Sequence, residues 1–288
     1  MKAVFKNELA TYFSTITGYV FGAFILLFIG IYMTSYNLKA LYPEFEYALG
    51  SMTVVFLIAI PILTMRVIAE ERRQKTDQLL YSLPISMTEV VLGKFFALMV
   101  TFAAPLLLVA TYPILLKKYG PVYLPTSYGA MLGLLMLGAA LLAMGLFISS
   151  ITENQAVAAG VCLAVMLLNY FMGSLAGYVP SSAKASFIAF AVLLLALAAV
   201  LWFMTKNPVL TGGAAIIAAV GLIVYYRRNT SAFEGLFAKV IGELSLFEKY
   251  NIFVEGILDL RVIIYDLSVA GFFLFLTVQS MEKRRWQG

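Results

Sequence analysis

The most chemically loaded stretch of the sequence is Glu70-Glu71-Arg72-Arg73-Gln74-Lys75-Thr76-Asp77, which runs on into Gln78-Leu79-Leu80-Tyr81-Ser82-Leu83-Pro84-Ile85-Ser86. Its carboxylates are interleaved with guanidinium and ammonium groups, so they neutralise one another and do not form an acid/base pair. Thr76 is placed to cap a short helix, with Asp77 at its positive end. Leu79, Leu80 and Leu83 give that helix an apolar edge, and Pro84 stops it. Ser86 with Glu89 then makes a capping box, with Ile85 and Val90 as its hydrophobic staple. The chemistry on offer is mechanical: a short charged helix between two long rigid ones, which a partner can grip and tilt. The plainer alternative is an ordinary solvated loop, because charged loops are common on the cytoplasmic side of membrane proteins.

Other chemistries lack their residues. There is no histidine, which removes a Ser-His-Asp triad and the commonest zinc ligand. No Gly-rich Lys-Ser or Lys-Thr phosphate loop is present, so the chain does not itself bind ATP by that route. No metal, cofactor or catalytic group is expected within it. Cys162 is the single cysteine, so no intrachain disulfide forms. No acidic or basic residue lies near the middle of an apolar stretch, where ion-coupled carriers keep theirs. If the chain moves something against a gradient, the energy must enter from outside the spans, with the 70–86 loop as the candidate place.

The elements that hold this loop are membrane helices. Of 288 residues, 62% are hydrophobic and 12% charged, and a soluble fold could not hide that much apolar surface. Uncharged runs of about 20 residues match the hydrocarbon thickness. Helices, not a barrel, are the way such runs satisfy their backbone. The expected fold is an all-α integral membrane protein of about eight spans plus interfacial amphipathic helices. The spans are placed at about 18–38, 49–69, 87–116, 127–150, 154–176, 186–205, 208–226 and 262–281. Pro105 and Pro113 predict a kink or break in the third.

Residues 1–17 read as an interfacial helix with Phe5, Leu9, Tyr12 and Ile16 on one face. The first apolar run is too long for a cleaved signal peptide. Segment 227–261 reads as extracytoplasmic and interfacial, with Ser231 and Glu234 as a capping box. Thr152 with Gln155 and Asn207 with Pro208 mark two further helix starts. The whole of 1–288 is taken as one membrane domain. The densest basic clusters, 66–75 and 283–285, place both termini in the cytoplasm by the positive-inside rule. The net charge of +5 suits anionic lipid, not nucleic acid.

Inside the spans, Gly133, Gly138, Ala139 and Gly145 read as close-packing positions. Thr53, Thr64, Asn169 and Tyr170 are the polar exceptions. Their simplest role is helix–helix hydrogen bonding, worth about 0.6 kcal/mol each on average.

Three motifs carry a resemblance. The stretch 69–86 followed by Val91-Leu-Gly-Lys94, the run Gly145-Leu-Phe-Ile-Ser-Ser-Ile-Thr-Glu-Asn-Gln-Ala-Val-Ala-Ala159, and Phe253-Val-Glu-Gly-Ile-Leu-Asp-Leu-Arg261 with Glu282-Lys-Arg-Arg-Trp286 together resemble the ABC-2 type permeases. The gliding-motility branch is the most similar. The resemblance covers the whole chain and implies a non-enzymatic transport subunit, with export the expected direction.

It implies a separate cytoplasmic ATPase, which would hold the ATP and Mg, and a second permease chain, identical or related. Membrane lipid and an extracytoplasmic accessory protein are further candidate partners. It assigns ATPase coupling to Glu71, Arg72, Thr76, Leu79, Leu80 and Pro84, on a helix at about 76–83. It makes residues 1–17 the elbow helix. It gives Thr53, Thr64, Asn169 and Tyr170 a second reading as pathway or dimer-interface residues. The expected location is the cytoplasmic membrane. Spans six and seven depart from six-span relatives and read as an inserted hairpin. Two rival functions stay open: an ATPase-coupled force-transmitting or signalling complex, and a membrane-embedded lipid-modifying enzyme.

Overall fold

The computed structural model describes residues 1–76, 85–178, 180–205 and 208–287, and every regular element among them is helical. Two compact units emerge, one formed by Met1–Leu168 with Lys249–Gly288, the other by Asn169–Glu248.

The larger unit contains α1 (Lys2–Ser14), α2 (Ile16–Met33, extended by the π-helical turn Thr34–Lys39), α3 (Glu46–Thr64), α4 (Ala69–Arg73), α5 (Met87–Val109), α6 (Tyr112–Leu116) and α7 (Leu124–Ile151). It also holds most of α8 (Gln155–Tyr178) and, after the second unit, α13 (Leu260–Gln287). The smaller unit holds the end of α8, α9 (Ala183–Thr205), α10 (Pro208–Arg228), the 3-10 turn Thr230–Phe233, α11 (Leu236–Leu244) and the start of α12 (Leu246–Val254).

Among the described residues, 6 helices are long and apolar enough to cross a membrane: Ile16–Lys39, Glu46–Arg73, Met87–Leu116, Leu124–Ile151, Gln155–Tyr178 and Leu260–Arg285. The expected sixth and seventh spans are helices of 23 and 21 residues, α9 and α10.

Helix α7 is the axis of the larger unit, with α3, α5 and α13 packed along it. Its glycines make this possible. A Cβ on Gly138 would overlap the Phe102 ring of α5, one on Gly145 would overlap Thr64 of α3, and one on Gly133 would overlap Phe253. The close-packing reading of these three positions holds. Apolar residues also cover the outside. On α3, Val54, Ile58 and Ile62 form an exposed stripe while Met52, Phe56 and Ile60 are fully buried. A helix apolar all round belongs between protein and lipid.

The termini of the chain lie at one end of the bundle. There Ser280 Oγ donates to the Ser150 carbonyl (3.2 Å) and Arg284 pairs with Glu153 (2.8 Å). At the opposite end Ser127 Oγ donates to the buried Glu46 carboxylate (2.9 Å), which also accepts from Thr126 Oγ1. Tyr250 is buried beside this cluster, and burial with the Glu46 charge raises its pKa well above the phenol range.

Helix boundaries sharpen several expectations. The N-terminal helix is separate from the first span, because Thr15 adopts an extended conformation (φ −104°, ψ 160°) between α1 and α2. The third span breaks at 110–111, ahead of Pro113 at the start of α6. Ser86 caps α5 by accepting from the Glu89 amide at 3.3 Å.

Two other caps differ. Thr152 turns on itself, its Oγ1 accepting from the Asn154 amide (3.1 Å), and Asn154 Oδ1 accepts from Ala156 N–H (2.9 Å) to cap α8. Asparagine is the stronger N-cap. Ser231 does not start a long helix. Gly235 enters the left-handed region (φ 68°) and donates to the Ser181 carbonyl (2.8 Å), so α11 begins only at Leu236. Asn207 lies outside the described residues, and Pro208 opens α10.

The second span is interrupted between Thr64 and Ala69. Ser149 of α7 repairs the interruption. Its hydroxyl accepts from the amides of Ile68 (3.2 Å) and Ala69 (3.1 Å) and donates to the Met65 carbonyl (3.2 Å). Ser149→Ala leaves these groups buried without a partner and costs about 1–3 kcal/mol. A lowered unfolding temperature of the detergent-solubilised protein measures this. An unchanged temperature would show that water replaces the hydroxyl.

Candidate coupling site

Lys94, about two turns into α5, is 1% exposed. Burying an ammonium is costly unless it is paired and hydrogen-bonded. All three of its donors are used: Nζ bonds Glu8 Oε1 of α1 (2.5 Å), Glu71 Oε1 of α4 (2.6 Å) and the Val67 carbonyl (3.3 Å). One lysine thereby joins three elements that are far apart in sequence. The glycine before it sets the approach. A Cβ on Gly93 would press on Val4 at 3.1 Å and on the Phe5 amide at 3.2 Å, so Gly93 lets α1 lie against α5 and Lys94 ties it there.

Tyr12 completes the contact surface of α1. It is 8% exposed. Burial, then the nearby carboxylates of Glu8 and Glu71, raise its pKa far above the phenol range, so it remains neutral. The corner that follows is tight: a Cβ on Gly18 would touch the Tyr12 carbonyl.

The stem of the loop is closed by a Schellman motif. Lys75 takes the left-handed conformation (φ 57°), its amide donates to the Arg72 carbonyl (3.1 Å), and the Thr76 amide donates to the Glu71 carbonyl (2.9 Å). Thr76 Oγ1 reaches the same carbonyl at 3.2 Å. Arg66 and Gln74 both bind the Glu70 carboxylate, at 3.1 and 3.2 Å. The stem is therefore a rigid hook hung from Ser149 and Lys94.

A family model described as an ABC-2 family transporter protein matches residues 5–278. The chain belongs to the ABC-2 transporter family. No curated protein and no solved structure matches it.

Within this permease the residues singled out from sequence fall into three groups. Glu71 is in the Lys94 clamp, Arg72 is buried at 4% exposure, and Thr76 ends the stem. The expected coupling helix at 77–83, with Leu79, Leu80 and Pro84, lies outside the described residues. Thr53 and Thr64 hydrogen-bond back along α3, to the carbonyls of Gly50 (2.7 Å) and Ile60 (2.9 Å). Thr64 also packs under Gly145 and touches Cys162 Sγ at 4.0 Å.

In the smaller unit, Asn169 grips the turn before α12. Its Nδ2 donates to the Leu244 carbonyl (3.0 Å), and its Oδ1 accepts from the Leu246 amide (3.0 Å). Tyr170 stacks edge-on against Phe171 and Phe247. Thr53 and Thr64 thus make their contacts within the larger unit, and Asn169 and Tyr170 make theirs within the smaller one. Glu8 is the residue the sequence reading missed. Its only signal was a carboxylate set on the same face as Phe5 and Tyr12.

Proposed function

We propose that this chain is the permease subunit of an ATP-binding cassette exporter, driven by a separate cytoplasmic ATPase that engages the 76–83 loop. The observation that carries the proposal is the Lys94 clamp. A pull on the loop reaches Glu71, and through Lys94 it reaches both the N-terminal helix and α5. The hydroxyl of Ser149 passes the same displacement to the central helix α7. The loop is thus mounted on the elements whose rearrangement would open a pathway.

In this reading the end bearing both termini faces the cytoplasm of the cell. Lys2, Lys6, Arg66, Arg72, Arg73 and Lys75, with Lys283 to Arg285, then lie on the inner side, in accord with the positive-inside rule. A second permease chain completes the pathway, and the lipid-facing stripe of α3 is available to it. ATP and Mg belong to the ATPase. The carboxylates of Glu8 and Glu71 are committed to Lys94, which suits a mechanical joint better than acid/base catalysis on a lipid.

The test is co-purification with an ATP-binding cassette ATPase expressed together with the chain. Leu79→Asp with Leu80→Asp is expected to abolish the complex while the variant still elutes as a folded, monodisperse membrane protein. A complex that survives both changes, with the same ATP turnover, would overturn the assignment of coupling to this loop.

A further inference from the structure

Two cavities of the larger unit meet at the corner between α1 and α2. One, of 360 Å³, runs between α2 and α3 and is lined by Val20, Phe21, Phe24, Ile62 and other apolar side chains. The other, of 390 Å³, lies between α1 and the stem of the loop and is lined by Glu8, Thr11, Arg66, Glu70, Glu71 and Gln74 among others. They share Thr17, Leu63 and Arg66. The result is a single cleft with an apolar half, a polar half, and Arg66 at the waist. Each half is of ligand-binding size.

The two halves match the two parts of an amphiphile. Helices α2 and α3 are membrane spans, so the apolar half opens onto hydrocarbon and has no water to fill it. The polar half lies at the ends of those spans, at head-group depth. Its charge selects the head group. In its wall Arg66 and Glu70 stand side by side, a guanidinium and a carboxylate in one exposed pair. A head group carrying both a phosphate and a terminal ammonium is matched by both members of this pair, whereas a purely anionic one satisfies the guanidinium alone. Arg66 is the phosphate partner, since guanidinium suits that geometry. Its exposed pair with Glu70 is weak enough to open, which frees Glu70 for the ammonium.

We infer that this cleft is a binding site for one phospholipid with an ammonium-bearing head group, of the phosphatidylethanolamine type, from the leaflet on the side of the chain termini. Its acyl chain lies between α2 and α3, and its head group lies against Arg66 and Glu70. The occupant would therefore rest on the Lys94 clamp.

Native mass spectrometry of the intact protein, titrated with phosphatidylethanolamine or phosphatidylglycerol, tests the inference. One phosphatidylethanolamine is expected to bind at least tenfold more tightly than phosphatidylglycerol. Val20→Trp fills the apolar half from a position that is 57% exposed, so folding is spared, and it should weaken that binding at least tenfold. Leu107→Trp, on the exposed face of α5 at 72%, is the control and should bind as the parent does. Glu70→Gln should erase the preference for the ammonium head group while phosphatidylglycerol binding is kept or improved.

Equal binding by the two tryptophan variants would mean lipid held nowhere in particular, and overturns the site. Equal or tighter binding of phosphatidylglycerol by the parent overturns the head-group assignment. Efficient cross-linking of Val20→Cys between two chains, undiminished by added phosphatidylethanolamine, would mean that a second copy fills the cleft and overturns the inference. None of these readings depends on an ATPase, so the coupling proposal stands or falls separately.

Discussion

Lys94→Met destabilises this permease by about 3–5 kcal/mol, the cost of removing one partner from a buried ion cluster. Glu8 and Glu71 are 17% and 24% exposed, so each is left largely desolvated and close to a like charge. The effect should read as a large fall in unfolding temperature in detergent. Glu8→Gln alone costs less, because Lys94 keeps Glu71 and the Val67 carbonyl. The decisive variant is the triple change Glu8→Gln, Glu71→Gln, Lys94→Met. It removes all three charges together and should recover most of the stability lost by Lys94→Met, since replacing a buried ion cluster whole is often close to neutral.

That recovery separates stability from coupling. If the clamp transmits force, the triple variant folds and still assembles with its ATPase, yet its ATP turnover no longer responds to the permease. If the clamp only stabilises α1, the triple variant behaves as the parent in both respects. A Lys94→Met variant with parental stability would overturn the clamp as a stabilising joint.

The membrane class was open to reading because lipid imposes one simple demand, long uncharged helices, and composition reports it directly. The helix ends at Ser86 and Pro113 were legible for a similar reason: their signals are local and lie within a few residues of the structure they cause. Thr152 and Ser231 show the limit of that logic. Each opens a sequence pattern that fits a capping box, but another arrangement wins: the local Asn154 turn in one case, and in the other a left-handed Gly235 whose amide reaches the distant Ser181 carbonyl.

Face assignment was not legible at all. Val54 and Phe56 are equally apolar, and only packing decides that one meets lipid and the other meets Phe102. The candidate site was half legible. The charged stretch at 70–76 announces itself, as does Gly93-Lys94 through the family pattern. Nothing in the spacing of Glu8, Glu71 and Lys94 reveals that three distant segments meet, because the meeting is set by the corner at Thr15 and the interruption at 65–68. Both are tertiary features.

Phe102→Ala opens the centre of the bundle and should cost about 2 kcal/mol. In a bilayer the usual transfer term for burying an aromatic ring largely vanishes, since the alternative surroundings are lipid and not water. The cavity term remains: roughly 100 Å³ of lost side chain at about 24 cal/mol per Å³ gives that figure. The Phe102 ring is fully buried, meets Phe56 edge-on at 5.3 Å and covers Gly138 of α7. The partner change runs the opposite way. Gly138→Leu drives a side chain into the ring and costs about 1–3 kcal/mol by overpacking. The two changes share one volume, so their combination should be far less damaging than their sum, with a coupling energy of about 1–3 kcal/mol in a double-mutant cycle. Additive losses would mean that α5 and α7 move apart independently of this contact. A strong positive coupling would establish that α5 and α7 meet by one ring set over one glycine, the packing on which Lys94 depends for its position.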